Sequence, residues 1–204
     1  LLRSLYREFL AWIVEADKQF LIIGNMNAIT YKEVFPLIKS NKLWLGPTIT
    51  SGDREFQVPD EYPVTASGWR IDENGNKFLR IKGVRWFTNI DHGRRHQSLP
   101  LMTMADNFKF SKHKEVKGRD SFEKYQNYNA IEIPFTDSIP SDYTGIMGVP
   151  ISFLDKYSPE QFEIVGMCEN EDLYGLKTKV YTTAECKQAY LNKFGKKGTY
   201  DLNA

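Results

Sequence analysis

The feature that most constrains the fold is the apolar run Phe-Leu-Ile-Ile-Gly at residues 20–24. A short run without polar interruption is typical of a strand covered on both faces. The segment before it, residues 4–17, carries four apolar residues at helical spacing: Leu5, Phe9, Trp12 and Ile13. This spacing predicts an amphipathic helix whose apolar stripe lies against a neighbour. A helix that leads into a doubly covered strand is half of a parallel βαβ unit, so an α/β fold is expected.

The alternation of helix and strand continues with one more predicted helix and one more predicted strand. Thr30 and Glu33 have the spacing of a capping box, which predicts a helix running to about Lys39 with a bend at Pro36. Residues 42–46 (Lys-Leu-Trp-Leu-Gly) predict the next strand. Residues 48–63 contain two prolines and no clean period, which predicts an ordered loop or a cover.

A β-hairpin is the clearest local signal. The dipeptide Asn74-Gly75 lies between the alternating segments 67–71 and 77–81, and such a turn joins paired antiparallel strands. The second arm can continue through Gly83, with a bulge, into a strand at residues 84–88.

The second half of the chain gives shorter signals. Strands are predicted at residues 128–134 and 162–166, and the glycine-punctuated segment 145–154 predicts a buried strand or a closely approached backbone. Residues 158–161 predict a one-turn helix. A last helix is predicted at residues 184–194, capped by Thr182 or Thr183 and ended by Gly195.

Composition excludes several classes of protein. No apolar run approaches the roughly 20 residues that span a bilayer, and the first residues lack the pattern of a signal peptide. The two cysteines, Cys168 and Cys186, lie far apart without a paired motif, which indicates reduced thiols in a cytoplasmic protein.

Positive charge is concentrated in one stretch of an otherwise balanced chain. Residues 92–119 hold seven Lys or Arg and two acids, although the whole chain has a net charge of only +1. The stretch follows an aromatic strand, Val-Arg-Trp-Phe-Thr, at residues 84–88. Cations near aromatic rings suit a polyanion with bases that can stack, so nucleic acid is the leading partner. The alternative is a solvated basic face over buried rings.

Three separated blocks of the sequence resemble the EcoRI-type adenine-specific DNA methyltransferases. They are Ser-Leu-Tyr-Arg-Glu-Phe at residues 4–9 with residues 18–33, then Trp-Phe-Thr-Asn-Ile-Asp-His-Gly-Arg-Arg at 86–95, and Gly-Ile-Met-Gly-Val-Pro-Ile-Ser-Phe-Leu-Asp-Lys-Tyr at 145–157. The blocks stand in the family's order, and the resemblance as a whole covers roughly residues 4–166. The resemblance implies an S-adenosylmethionine-dependent enzyme that methylates the exocyclic amine of adenine in a short duplex site. Such an enzyme takes the base out of the stack while gripping phosphates.

The sequence also departs from the family pattern. An Asn-Pro-Pro-Phe motif is expected before Ser4, where Leu-Leu-Arg stands, and no glycine-rich cofactor loop occurs in these residues. The chain is therefore expected to be a C-terminal portion. Residues 1–95 would form the distal half of a Rossmann-like catalytic sheet, and residues 96–204 a mixed, strand-rich target-recognition region. This portion is expected neither to bind S-adenosylmethionine nor to methylate DNA alone.

The resemblance assigns candidate roles to residues around the aromatic strand. Trp86 and Phe87 lie where related enzymes stack a ring on the extruded adenine. Neighbouring strand residues face opposite sides, so only one of them can do so; Phe87 is preferred, and core packing of both is the alternative. Asn89 and Asp91 can bond a base edge or simply form a turn. Two further asparagines, Asn25 and Asn27, can shape the adenine pocket or cap the next helix.

The remaining candidates are cationic. Arg94 and Arg95 are predicted phosphate ligands, with a solvated pair as the alternative. His92 joins the DNA-contacting set, and its spacing to His96 is not expected to make a zinc site, since no third ligand is near. Several lysines extend the predicted phosphate track: Lys109, Lys112, Lys114 and Lys117. No acid–base dyad or catalytic triad is identified.

Double-stranded DNA is thus the expected partner, together with an N-terminal methyltransferase half and, through an exposed sheet edge, a second copy. Two other functions stay open. One is a nucleic-acid-binding module without chemistry, and the other is a degenerate fragment that only contacts another protein.

Overall fold

The computed structural model describes residues 2–49, 53–63, 68–168, 179, 181–199 and 202. The chain divides into two compact units, Leu1–His96 and Gln97–Ala204. The fold is mixed α/β with small sheets. The helices and strands of the first unit are α1 (Leu2–Glu15), β1 (Leu21–Asn25), α2 (Phe35–Lys39), β2 (Trp44–Leu45), β3 (Arg54–Val58), β4 (Trp69–Ile71), β5 (Lys77–Ile81) and β6 (Val84–Thr88).

The first unit is built on a sheet with the order β1-β6-β2. Both outer strands run antiparallel to β6, with Ile22 opposite Phe87 and Leu45 also opposite Phe87. Four of the five β6 residues are buried and Trp86 is half-buried. β1 and β2 therefore run parallel to each other on the two sides of a reversed strand. Because β6 separates them, β1 and β2 are not neighbours in the sheet.

Two burial predictions for the start of the chain are wrong. β1 is an edge strand rather than a doubly covered one, and Leu21 and Ile23 are 54% and 44% exposed. On α1 the predicted buried stripe is also largely exposed: Leu5 58%, Phe9 42% and Trp12 63%. The reason is that α1 has a second apolar side, where Leu10 is fully buried, and this side packs on the sheet.

The predicted capping box at Thr30 and Glu33 does not form. Asn25 instead caps a 3₁₀ turn at Met26–Thr30, and α2 begins later, at Phe35. Pro36 lies in the first turn of α2, where its missing amide proton is tolerated, so it does not bend the helix. The predicted end at Lys39 is confirmed.

The hairpin prediction is confirmed, and the structure extends it into a second sheet with the order β3-β5-β4. Ile71 pairs with Lys77 across the turn. The carboxylate of Asp72 accepts from the amides of Asn74 and Asn76 at 3.0 and 2.8 Å, and Gly75 has φ +85°. The prediction of a loop at residues 48–63 is wrong for residues 54–58, which form β3. β5 does not continue into β6, because Gly83 (φ +68°) separates two different sheets.

The second unit is held by one apolar cluster: Val116, Phe122, Ile131, Ile133, Ile139, Phe153 and Tyr157. Its elements are α3 (Met104–Phe110), β7 (Ile131–Glu132), β8 (Met147–Gly148) and α4 (Thr183–Phe194). β7 and β8 pair in parallel over two residues each. The long strands predicted at 128–134 and 145–154 are thus mostly irregular.

For residues 145–154 the alternative of a closely approached backbone is confirmed, because a Cβ on Gly148 would collide with the Tyr125 side chain. The last helix is confirmed as well. Thr182 and Glu185 form its capping box, and Gly195 (φ +66°) ends it. Residues 158–161 form a turn rather than a helix, and residues 162–166 form no strand. Within the described ranges, no helix has the length and apolarity needed to cross a membrane.

Candidate nucleic-acid interface

The predicted site residues fall in both units. In the first unit, Phe87 belongs to the core: it is 0% exposed, and its ring lies edge-on to Tyr6 with centroids 5.7 Å apart. A Cβ on Gly24 would lie 2.8 Å from the Phe87 ring, so glycine is required for this packing. Trp86 faces the other side of the sheet and is half-buried. Of the two candidate rings, Trp86 is the one with accessible surface.

Asn89, at the end of β6, ties down the start of β1. Its side-chain oxygen accepts from the Phe20 amide at 2.9 Å, and its side-chain nitrogen donates to the Lys18 carbonyl at 2.9 Å. Thr88 adds a bond of 2.6 Å to the Phe20 carbonyl. These contacts favour the structural alternative for Asn89.

The turn at residues 93–96 is fastened to β2. His92 donates from Nε2 to the Leu45 carbonyl at 3.0 Å and accepts the Arg95 amide at Nδ1 at 3.3 Å. Arg94 donates to the Pro47 carbonyl at 2.7 Å. This part of the basic stretch is therefore engaged by backbone carbonyls.

Arg95 is an enclosed cation. Its side chain is 12% exposed and lies 3.6 Å from an Asp91 carboxylate oxygen. The guanidinium carbon stands 3.9 Å from the centroid of Trp44, and Nη2 donates to Asn41 Oδ1 at 2.9 Å. Asp91 also bonds His96 at 2.8 Å, and this hydrogen bond is the main reason that the pKa of Asp91 is lowered.

The two asparagines after β1 differ in their contacts. Asn25 donates to the Lys82 carbonyl at 2.8 Å and accepts the Asn27 amide at 3.0 Å, so it caps the 3₁₀ turn and joins it to the end of the hairpin. Asn27 is exposed, and its carbonyl accepts from Thr30 at 3.0 Å. The capping alternative therefore holds for Asn25.

In the second unit the basic stretch forms a compact turn after α3. Thr103 caps α3 by accepting the Asp106 amide at 3.1 Å. The chain then turns at residues 113–117, and the Gly118 amide returns to the Phe108 carbonyl at 2.8 Å. Gly118 has φ +82°, which favours glycine. Val116 is fully buried and anchors the turn, so the residues beside it point outward.

Asp137 organises the base of this turn. Its carboxylate lies 2.7 Å from the Lys112 ammonium and 2.9 Å from His113 Nε2. Phe135 stacks on His113 with centroids 3.7 Å apart and an interplanar angle of 6°. Burial acts to raise the pKa of Asp137, but the hydrogen bonds from Lys112 and His113 outweigh it, and the pKa is lowered. Lys112 keeps most of its side chain in solvent, at 74% exposed.

The turn therefore presents cations to solvent. Lys109, Lys114 and Lys117 are all exposed. In the described part of the chain, no hydrogen bond or ion pair connects the ammonium groups of Lys114 and Lys117 to another residue. Arg119, two residues further on, pairs with Glu123 at 3.4 Å on the surface. An array of flexible ammonium groups on a fixed turn can bind successive phosphates of a nucleic-acid strand.

Sequence patterns do not single out Asp137, Phe135 or Trp44 as members of the site. Asp137 and Phe135 lie in a turn-rich segment without a motif, and Trp44 reads as an ordinary strand residue. A pairing signal between residues so far apart in the chain would require an alignment of relatives. No group of three or more His, Cys, Asp or Glu among the described residues could hold a metal ion.

Comparison with known proteins gives consistent matches. A family model described as "Adenine-specific methyltransferase EcoRI" matches residues 3–202. The type II methyltransferase M.EcoRI of Escherichia coli is 46% identical over 162 residues, which cover 79% of this chain and 47% of that protein. The type II methyltransferase M.MgeORF184P of Mycoplasma genitalium is 35% identical, over 87% of this chain and 54% of that protein.

A third relative extends the set. The type II methyltransferase M.MpnI of Mycoplasma pneumoniae is 31% identical, over 87% of this chain and 54% of that protein. The chain thus spans about half the length of the curated relatives it matches. No solved structure gives a significant match.

Proposed function

Because the chain belongs to the EcoRI family of adenine-specific methyltransferases, we propose that it is the target-recognition portion of a site-specific DNA adenine methyltransferase of the restriction-modification type. In this role it binds duplex DNA and shapes the pocket for the extruded adenine. The observation that carries the proposal is the match along residues 3–202 to a family of this activity. The exposed lysine turn of the second unit adds a surface of suitable charge.

The sheet of the first unit supports its assignment to the distal part of a Rossmann-like sheet. β1 and β2 are parallel to each other, and the reversed strand β6 lies between them. The order β1-β6-β2 is the one expected for a mostly parallel sheet with one reversed strand. In an antiparallel meander, by contrast, strands that follow each other in the chain would be neighbours in the sheet. β6 joins the sheet late in the chain, as the resemblance implies for the family's last strand.

The proposed phosphate contacts lie mainly on the second unit. Lys112, Lys114 and Lys117 project from the turn that Val116 anchors, with Lys109 on the preceding helix. Each neutralised phosphate releases counterions, so this contact gives affinity for any sequence. Arg94 and Arg95 remain predicted phosphate ligands. Their bonds to the Pro47 carbonyl and to Asn41 favour a role in positioning the chain around them.

The proposed base contacts lie on the first unit. Trp86 offers an indole with accessible surface, which is the type of group that stacks on an unpaired purine. Phe87 supports it from within the core. Three polar residues follow the strands nearby and remain proposed pocket or base-edge contacts: Asn27, Asp91 and His92. Asn25 and Asn89 position the backbone around them through their hydrogen bonds.

S-adenosylmethionine supplies the methyl group in the enzymes of this activity. We propose that this chain does not bind it. The carboxyl end of β1, where an open α/β sheet keeps its ligands, has Asn25 committed to the Lys82 carbonyl and the Asn27 amide. The sequence contains no glycine-rich loop to cradle a nucleotide. We therefore assign cofactor binding and methyl transfer to the part of the enzyme that this chain does not span, and expect the chain alone to be inactive.

Duplex binding with a steep salt dependence tests the proposal. Fluorescence anisotropy with a labelled duplex of about 20 base pairs, repeated between about 50 and 200 mM salt, should give affinity that falls by at least tenfold over this range. A calorimetric titration with S-adenosylmethionine should show no micromolar binding by the chain alone.

The outcomes separate the possible functions. Absence of DNA binding at the lowest salt would contradict the recognition role and leave only a protein-interaction role. Methyl transfer by the chain alone would contradict the assignment of chemistry to the other part. A simple binding module would bind DNA as well, but adding the rest of a family enzyme would not produce methylation.

A further inference from the structure

His113 connects the turn at residues 113–117 to a neighbouring segment of the chain. Its backbone carbonyl accepts the amides of Val116 and Lys117 at 3.1 and 2.9 Å, so it closes the turn. Its ring stacks on Phe135 with centroids 3.7 Å apart, and its Nε2 lies 2.9 Å from Oδ1 of Asp137. A single titratable residue therefore belongs both to the turn that presents the lysines and to the contacts that hold its base.

The contacts of the ring identify the atom that would take up a proton. Burial acts to raise the pKa of Asp137, but the hydrogen bonds from Lys112 and His113 lower it below its ordinary value. An ionised carboxylate only accepts hydrogen bonds, so Nε2 of His113 carries a hydrogen in either charge state of the ring. Among the described residues, no hydrogen bond reaches the other ring nitrogen, Nδ1. The ring can therefore be protonated at Nδ1 while it keeps its bond to Asp137.

Protonation of His113 would change the charge at the base of the turn. Asp137 lies 2.7 Å from the ammonium of Lys112, so these two charges balance while the imidazole is neutral. With the imidazolium present, the three side chains carry a net charge of +1. Asp137 then shares its charge between two cations, and the Lys112 side chain, which is 74% exposed, can turn its ammonium toward another anion.

The surroundings of the ring couple this proton to a bound polyanion. The face of Phe135 attracts a cation that stacks on it, and Asp137 attracts it as well. Lys114 and Lys117 in the same turn oppose a further positive charge, and Glu115 is the single acid there; all three are exposed. Phosphates that bind these lysines neutralise them and so remove their opposition.

Resting on the proposed function, we infer that His113 takes up a proton when the lysine turn binds DNA phosphates, so that this contact tightens as the pH falls. By linkage, the proton and the DNA strengthen each other's binding by the same factor. Histidine side chains ordinarily change charge between about pH 5 and 8. Since the bound state holds the proton more tightly, affinity is highest below this range and falls as the pH rises through it. His113 acts here as a positioning residue whose charge adjusts the strength of the contact.

Duplex binding at two pH values tests the coupling. Fluorescence anisotropy uses a random-sequence duplex of about 20 base pairs at about 50 mM salt. Affinity should be about three times higher at pH 6 than at pH 8, because a unit charge about 7 Å from a phosphate contributes roughly this factor in water. Salt screens the added charge, so the ratio should shrink at about 200 mM salt.

Two histidine substitutions assign the effect. His113→Gln keeps an N–H donor for Asp137 but does not titrate, so its affinity should be the same at both pH values. The matched control is His96→Gln, because His96 also bonds a carboxylate, that of Asp91 at 2.8 Å, but belongs to the first unit. The control should keep the pH ratio of the unchanged chain. A purely structural role of His113 predicts instead an equal loss of affinity at both pH values, and that result would overturn the inference.

NMR titration of the histidine rings in the unchanged chain needs no substitution and stays decisive where His113→Gln does not fold. The midpoint of the His113 titration should move to higher pH by about 0.5 when the same duplex is bound, which is the shift that corresponds to a threefold coupling. Equal midpoints for the unbound and the DNA-bound chain would overturn the inference.

The outcomes also separate the inference from the proposed function. If the duplex binds with the same affinity at pH 6 and pH 8, the coupling to His113 is wrong and the proposed function stands. If binding depends on pH through His113, but supplying the rest of a family enzyme yields no methylation of adenine, the coupling stands and the proposed function fails. Absence of duplex binding at both pH values would overturn both.

Discussion

Two clusters in this chain share a chemical plan and differ in what they leave exposed. In the Asp91 cluster (Asp91, Arg95 and His96), a carboxylate holds an arginine and a histidine. In the Asp137 cluster (Asp137, Lys112 and His113), a carboxylate holds a lysine and a histidine, and the histidine stacks on Phe135. Both clusters include residues of the basic stretch at residues 92–119. They belong to different units.

The cations in the two clusters have opposite surroundings. The Arg95 side chain is 12% exposed, under the ring of Trp44, whereas the Lys112 side chain is 74% exposed. A planar guanidinium can stack and form several bonds at once, which suits an enclosed position. An ammonium on a flexible stem keeps its head in water.

The difference shows that local charge alone does not identify a binding surface. Both clusters contribute to the same basic run in the sequence. Arg95 donates from Nη2 to Asn41 and pairs with Asp91, so it links the residues after β6 to the region around β2. The Asp137 cluster holds the base of a turn whose other lysines, Lys114 and Lys117, face solvent.

Removing Arg95 should have the largest effect on folding. Arg95→Ala deletes the stacking on Trp44 and the bond to Asn41 and leaves the Asn41 and Asp91 oxygens without this partner. We expect the free energy of unfolding to fall by about 2 kcal/mol, measured by urea denaturation. Lys112→Ala is the matched control, since an exposed ion pair contributes roughly 0.5 kcal/mol. Equal losses for the two variants would remove the distinction between the clusters.

Breaking the Asp137 cluster should have a smaller effect on folding and a local effect on the turn. Asp137→Asn keeps the size of the side chain but removes the charge that holds Lys112 and His113. Because the carboxylate is 39% exposed, solvent screening limits the expected loss to about 0.5 kcal/mol. Hydrogen exchange should accelerate at the amides of residues 113–118 and stay unchanged at β6. Faster exchange in β6 alone would contradict a local role.

The pH dependence of stability should show the Asp91 carboxylate, as the smallest of these effects. Its pKa is lowered, chiefly by the hydrogen bond from His96, so its stabilisation is complete above the unfolded-state pKa of about 3.9. As pH falls through the lowered folded value, that stabilisation is lost. Between about pH 5 and pH 3, the difference in unfolding free energy between the unchanged chain and Asp91→Asn should therefore shrink as the pH falls. A difference that stays constant or grows over this range would contradict the assignment.

Local sequence rules predicted the elements that depend only on neighbouring residues. The hairpin follows from Asn74-Gly75, and α4 follows from the Thr182–Glu185 box with Gly195 at its end. In both, the residues that determine the geometry lie within a few positions of each other. The capping box predicted at Thr30 does not form. Asn25 lies closer to the preceding strand and caps a 3₁₀ turn there first.

Features that depend on distant residues could not be predicted. The apolar pattern of α1 fits two faces, and only the packing of Tyr6 on Phe87 decides between them. The residues of β3 alternate between half-buried and exposed, but only Phe56 and Val58 among them are apolar, so the alternation is too short to indicate a strand. Asp137 meets Lys112 and His113 from more than twenty positions away, and no local motif reveals such a pairing. Within the candidate site, sequence patterns indicated which cations are present, and the structure distinguishes the enclosed ones from the exposed ones.

The most direct test of the DNA-binding surface is the salt dependence of duplex binding by Lys114→Ala/Lys117→Ala. Both ammonium groups are exposed and lie beside the buried anchor Val116, so their removal should leave the fold intact. If each contacts a phosphate, the slope of log affinity against log salt should become shallower by about 2 for a random-sequence duplex. Lys18→Ala/Lys187→Ala, which removes two exposed lysines outside the turn, should keep the original slope. The same slope for both double variants would contradict a DNA contact at this turn.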